Sequence, residues 1–126
     1  MKTFKLSILL LIFIVLGVIL YMYILNDISD QMLADIGELE EAVRSEDWGD
    51  AEKQLDDIHK TWEKTEKRMA MMVNHNEIDV IKLTLAKLSQ YVHYRETADF
   101  MAESASLKLL IKHIPNKEKI NLANLL

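Results

Sequence analysis

The sequence predicts an all-α protein: an N-terminal transmembrane helix followed by an extracytoplasmic antiparallel helical bundle of three to four helices. Three observations carry that expectation. Leu6 to Leu25 form twenty consecutive residues without a charge, LSILLLIFIVLGVILYMYIL. Glycine and proline are scarce, three and one in 126 residues, while the good helix formers Leu, Ala, Glu and Lys are frequent. Beyond the run, apolar residues recur at steps of 3 and 4, the period of a helix face.

The apolar run comes first. Twenty helical residues span about 30 Å, the thickness of a bilayer's hydrocarbon core, and a helix bonds all its own backbone polar groups. Lys2 and Lys5 precede the run, whereas Asp27, Asp30 and Asp35 come after it. The positive-inside rule then leaves residues 1–5 in the cytoplasm, makes 6–26 a signal-anchor, and exports the rest. Tyr21 and Tyr23 fall where an outer aromatic belt lies. The competing reading is a cleaved signal peptide, whose apolar region is about 7–15 residues long and ends in small residues. Here the run is longer and closes on the bulky Tyr21-Met22-Tyr23-Ile24-Leu25. A single-pass anchor in the cell membrane is therefore expected. The chain has no cysteine, which removes disulfides and a lipid-bearing cysteine.

Setting Lys2 and Lys5 aside, 13 bases face 20 carboxylates, a net charge of about −7. That balance excludes nucleic acid as a partner class, since its phosphates demand clustered Lys and Arg. It also argues against flat adhesion to anionic lipid. About 100 residues support one modest core.

The first external helix should continue unbroken from the anchor, because Ile28, Met32, Ile36, Leu39 and Val43 form one stripe and no breaker separates them from Leu25. Ser45-Glu46-Asp47 reads as a turn, with Ser45 or Asp47 capping the second helix. That helix carries a narrow seam of Trp48, Ala51, Leu55, Ile58, Trp62, Thr65, Met69 and Met72, the pattern that packs against an antiparallel neighbour. Asn74-His75-Asn76 should end it, with Asn76 capping the next helix. Ile78, Ile81, Leu85, Leu88 and Val92 come next, and then a polar interruption at Arg95-Glu96-Thr97. Ala98, Met101, Ala105 and Leu109 resume the stripe in a shifted phase. Two helices, 77–95 and 97–114 with Thr97 capping the second, are expected; one long kinked helix is the alternative. Pro115-Asn116 should stop the helix. The bundle would then occupy 27–115, and 116–126 would be an apolar C-terminal tail whose Ile120, Leu122, Leu125 and Leu126 either dock on it, the favoured reading, or await a partner.

Few residues invite chemistry. His59 has Asp56 and Glu63 at i−3 and i+4, a trio that could hold a divalent cation. Di-iron bundles, however, need Glu-x-x-His on two helices, and His93 and His113 have Gln90 and Leu110 at the matching positions. A solvated charged face is the expected outcome, with no metal site. His75-Asn76-Glu77-Ile78-Asp79 is accounted for by helix capping and dipole-matched acids. Trp48 and Trp62 could line a hydrophobic pocket, but seam aromatics are expected in the core. Met69, Met71 and Met72 read as filler or as an adaptable binding patch. Without a cysteine, a nucleophile elbow or a phosphate loop, neither catalytic residues nor a cofactor is expected.

The anchor, the Asp47-Trp48-Gly49-Asp50-Ala51 helix start, Trp62, the His75-to-Asp79 turn, His113-Ile114-Pro115 and the closing Asn124-Leu125-Leu126 together carry a resemblance. The chain resembles a family of small single-span membrane proteins of clostridia and other Firmicutes, catalogued as domain of unknown function 4363. The resemblance covers nearly the whole chain and implies a spore-forming bacterial host and a membrane-protein partner encoded nearby. It implies no activity or ligand, so no functional residue carries over. The expectation is a membrane-anchored interaction module that docks on another membrane protein or envelope component. The alternative is a ligand-sensing bundle that signals through a partner span.

Overall fold

The computed structural model describes residues 1–125, without the side chains of Asn121 and Leu125. These residues form four α-helices: α1 (Lys2–Arg44), α2 (Trp48–Met69), α3 (His75–His93) and α4 (Thr97–Leu125). They run alternately up and down. α1 packs on α2 and α4, and α3 closes the square against the same two.

α1 is the expected continuous rod. Its best 18-residue window has a mean hydropathy of 3.1, and the helix is long and apolar enough to cross a membrane. Leu6 to Gly17 are exposed throughout, and coverage begins at Val18. From Leu25 onwards, Ile28, Met32, Ile36, Leu39 and Val43 form the buried face. One helix therefore supplies both the bare apolar segment and a quarter of the bundle.

α1 ends in a Schellman motif: the Asp47 N–H reaches the Ala42 carbonyl and the Glu46 N–H reaches that of Val43, both at 3.0 Å. Glu46 takes the left-handed conformation, φ 56°, that such a motif demands. Asp47 then caps α2, its Oδ1 accepting the Asp50 N–H at 3.1 Å. The α3–α4 junction repeats the device. Arg95 also has φ 56°, and Glu96 N–H bonds the Tyr91 carbonyl at 2.8 Å. Two separate helices are thus made without glycine or proline. Thr97 is the first residue of α4, not its cap, and the Glu96 carbonyl accepts the Phe100 N–H at 3.0 Å. At the α2–α3 turn the cap is Asn74, not Asn76. Asn74 is extended, φ −61° and ψ 134°, and its Oδ1 accepts the Asn76 N–H; Asn76 already lies in the first helical turn.

Two further expectations are corrected in α4. Its buried face is Phe100, Ser104, Leu107, Ile111 and Ile114, whereas Ala98, Ala105 and Leu109 are exposed and Met101 is half-buried. The true stripe passes through a serine, which the apolar pattern disguised. Pro115, moreover, does not end the helix, which continues to Leu125. A helical proline removes one N–H and so orphans the carbonyl four residues earlier. Here that carbonyl belongs to Ile111, and the buried Ser29 hydroxyl of α1 donates to it at 3.1 Å. The expected tail is accordingly helical through Leu125. Leu122 is half-buried and Ile120 is 61% exposed; Leu126 and the Leu125 side chain lie outside the described residues.

Candidate functional site

Asp56, His59 and Glu63, the trio weighed as a cation site, do not converge. Asp56 pairs with Lys60 at 2.6 Å, and His59 turns across to α3, its Nε2 lying 2.8 Å from the Ser89 hydroxyl. No group of three metal-ligating side chains occurs among the described residues. Ser89 and His59 line a groove together with His93 and Asp56. The Ser89 hydroxyl also lies 3.1 Å from the Leu85 carbonyl, to which it donates. The His59–Ser89 hydrogen bond ties α2 to α3.

His75-to-Asp79 holds the α3 start, as its composition suggested. The Asn74 side chain caps the helix by accepting the Asn76 N–H, and Glu77 receives Lys117 of α4 at 2.6 Å. Trp62 is a core residue, 4% exposed, and the void beside it is about 10 Å³, too small for a hydrophobic ligand. Trp48 is half-buried against the same core. Among the described residues, the buried Trp62 indole N–H has no hydrogen-bond partner, and neither does Gln54 Oε1. Gln54 lines a cleft of about 170 Å³ between α1 and α2, along with Asp35, Glu38 and Asp57. Burial, and then the neighbouring Glu38, push the Asp35 carboxyl above its usual range.

A second polar group sits inside the bundle, and sequence reasoning missed it. Glu40 on α1 is 3% exposed and Ser104 on α4 is fully buried. The Ser104 hydroxyl donates to Glu40 Oε1, and Lys108 Nζ lies 2.9 and 3.0 Å from the two carboxylate oxygens. Burial alone would raise the Glu40 pKa; the hydrogen bonds from Ser104 and Lys108, with the charges of Lys108 and Arg44, outweigh it and hold the carboxyl below its usual range. This pairing pins α4 to α1 and fixes its rotation. It can act as a register device and offers no open position for a substrate.

The two ends of the bundle differ sharply. The far half (residues 33–60 and 87–108) holds thirteen of the twenty carboxylates but six of the thirteen bases beyond Lys5. The half next to the apolar segment is balanced, seven against seven. At that near end the Tyr21 hydroxyl donates to the Met72 carbonyl at 2.7 Å, and Glu118 approaches the same hydroxyl. Of the three methionines there, Met69 is buried and Met72 half-buried, but Met71 is 84% exposed.

No curated protein and no solved structure matches this sequence significantly. The profile of one family, described as Domain of unknown function (DUF4363), matches residues 19–125. That match takes in α1 from Ile19 onwards and all of α2, α3 and α4, so the chain belongs to the DUF4363 family.

Proposed function

We propose that the protein is a non-catalytic, membrane-anchored interaction module whose extracytoplasmic bundle docks on another membrane protein or envelope component. The observation that carries this reading is the continuity of α1. Its apolar segment and the core helix of the bundle are one unbroken helix, so the bundle is presented rigidly at the membrane. The acidic far half supplies a surface for a basic partner face, a charge complementarity that speeds and orients encounter. The polar constellations within the bundle serve packing, register and capping, which leaves surface recognition as the function the chain is built for. Family membership agrees with the resemblance drawn from its motifs.

Two measurements test the proposal. Alkaline phosphatase fused after Leu126 should be active, with the full-length product retained in the membrane fraction; an inactive fusion would reverse the orientation. A membrane protein should co-purify from detergent extracts, and charge removal at the exposed Glu52 and Asp99 (Glu52→Gln, Asp99→Asn) should weaken that association in a salt-sensitive way. Co-purification indifferent to both changes would refute the acidic face as the docking surface. One observation favours a second reading, a ligand-sensing bundle: the unpartnered Gln54 Oε1 beside the Asp35 cleft. A small molecule retained by the purified protein and lost in Gln54→Ala would establish it.

A further inference from the structure

We infer that the near end of the bundle is itself a membrane-contacting surface, with the α2–α3 turn and the last turns of α4 seated in the interfacial layer of the leaflet that α1 leaves. The inference rests on reading Leu6–Leu25 as a membrane span.

Length makes the argument. Lys5 bounds the charge-free run on one side, and the bare part of α1, Leu6 to Gly17, is twelve residues. Twelve helical residues rise about 18 Å, well short of the roughly 30 Å of hydrocarbon to be crossed. The remaining distance falls to Val18–Leu25, which the bundle flanks on one side: Val18, Tyr21, Met22 and Ile24 are half-buried and Leu25 is buried, while Ile19, Leu20 and Tyr23 stay exposed. A bundle held wholly in water would pull those eight apolar residues out of the membrane. Seating the whole run in the bilayer instead brings their neighbours down to its surface. Those neighbours are the Met72 carbonyl, bonded to Tyr21, and the end of α4, where Glu118 meets the same hydroxyl.

The chemistry of that end suits an interface. Met71 at the tip of the turn is 84% exposed, Ile120 on α4 is 61% exposed and Tyr23 is 69% exposed. These are costly in water and favourable where headgroups meet acyl chains. Lys67, Arg68 and Lys119 are exposed around them, with stems long enough to lie along apolar surface while their charges reach lipid phosphates. The acidic excess, which anionic lipid would repel, is confined to the far half. α4 therefore acts as a shallow second foothold beside the span, limiting tilt of the bundle.

The absence of cysteine allows a direct test with single nitroxide labels on the full-length protein in phosphatidylcholine–phosphatidylglycerol vesicles. Met71→Cys and Ile120→Cys report on the proposed surface, Ile12→Cys on the span, and the exposed Ala102→Cys on the far half. The ratio of oxygen to nickel-chelate accessibility at 71 and 120 should exceed that at 102 by about threefold or more and lie below that at 12, as expected for interfacial depth. A lipid-like value at 12 with either 71 or 120 matching 102 overturns the inference and leaves the span standing. A water-like value at 12 overturns the span reading, and this inference with it.

Discussion

Ser29→Ala should destabilise the protein by about 2 kcal/mol, and the reason lies on another helix. The Ser29 hydroxyl is the hydrogen-bond donor to the Ile111 carbonyl, at 3.1 Å in the buried α1–α4 interface. Pro115 has no N–H to offer that carbonyl in the ordinary helical manner. Losing a neutral hydrogen bond costs about 0.5–1.5 kcal/mol net, and leaving a buried acceptor unsatisfied costs about 1–3 kcal/mol. The two ranges describe overlapping effects, hence about 2 kcal/mol for the whole. In a Pro115→Ala background the backbone N–H restored at position 115 can reach Ile111, so the same Ser29→Ala change should cost about 0.5 kcal/mol or less. The coupling between the sites is then about 1.5 kcal/mol, well outside additivity. Urea unfolding of the full-length protein in mild detergent, followed by the fluorescence of Trp48 and Trp62, measures all four corners of the cycle. Equal costs in the two backgrounds would refute the argument that Ser29 is what allows α4 to run through Pro115.

Three other outcomes are expected from the packing. Trp62→Ala should cost about 3–5 kcal/mol, as for a truncated core aromatic, whereas Lys60→Ala should leave the unfolding midpoint essentially unchanged because its pair with Asp56 is exposed on both sides; the same unfolding assay separates them. The folded Glu40 carboxyl has a lowered pKa, so its contribution is fully present above the unfolded value near 4.5 and is lost as pH falls through the folded one. Glu40→Gln should therefore flatten the acid limb of a stability–pH profile below that value, and an unchanged limb would argue against the pairing. Arg95→Gly should raise stability by about 0.5–1 kcal/mol, seen as a higher unfolding midpoint, because glycine adopts the left-handed conformation there without the cost an L side chain incurs.

What the sequence made legible is what apolar periodicity encodes. The unbroken α1, the α2 seam and the α3 stripe all arise from side chains whose burial is paid for by their own surface. The errors cluster where a polar group stands in for an apolar one or a tertiary contact rescues a local rule. Ser104 breaks the α4 stripe to the eye, but Glu40 satisfies it, so the buried face lies one step away from the one the alanines suggest. Pro115 is a sound local stop signal, and only a serine 86 positions earlier in the chain annuls it. Asn74 and Asn76 are equally good caps by type, and backbone geometry alone chooses between them. Nothing local marks Glu46 or Arg95 as left-handed, since neither is glycine or asparagine. At the candidate sites the residue types were readable, but their partners were not: His59 meets Ser89 from another helix, and Asp56 meets Lys60 on its own.

The continuity of α1 also constrains how a partner could be reached. A flexible linker between anchor and bundle would let the bundle search a wide volume at a low effective concentration for any one site. A helix without a break does the opposite. From Leu25 to Arg44 it rises about 29 Å, so on the proposed reading the acidic far end is held at a nearly fixed height and azimuth above the membrane. Rotation of the span about its axis turns the bundle with it, because the residues that face α2 and α4 lie on the same helix as the apolar segment. A partner that binds the far end must therefore present its basic face at that height, and a partner that grips the span within the bilayer reorients the far end in the same movement. Inserting four residues between Gly17 and Val18, where contact with the bundle begins, would rotate the bundle against the bare segment by about 40° and lift it by about 6 Å. If docking depends on rigid presentation, that insertion should abolish co-purification even where the isolated charge pattern is intact.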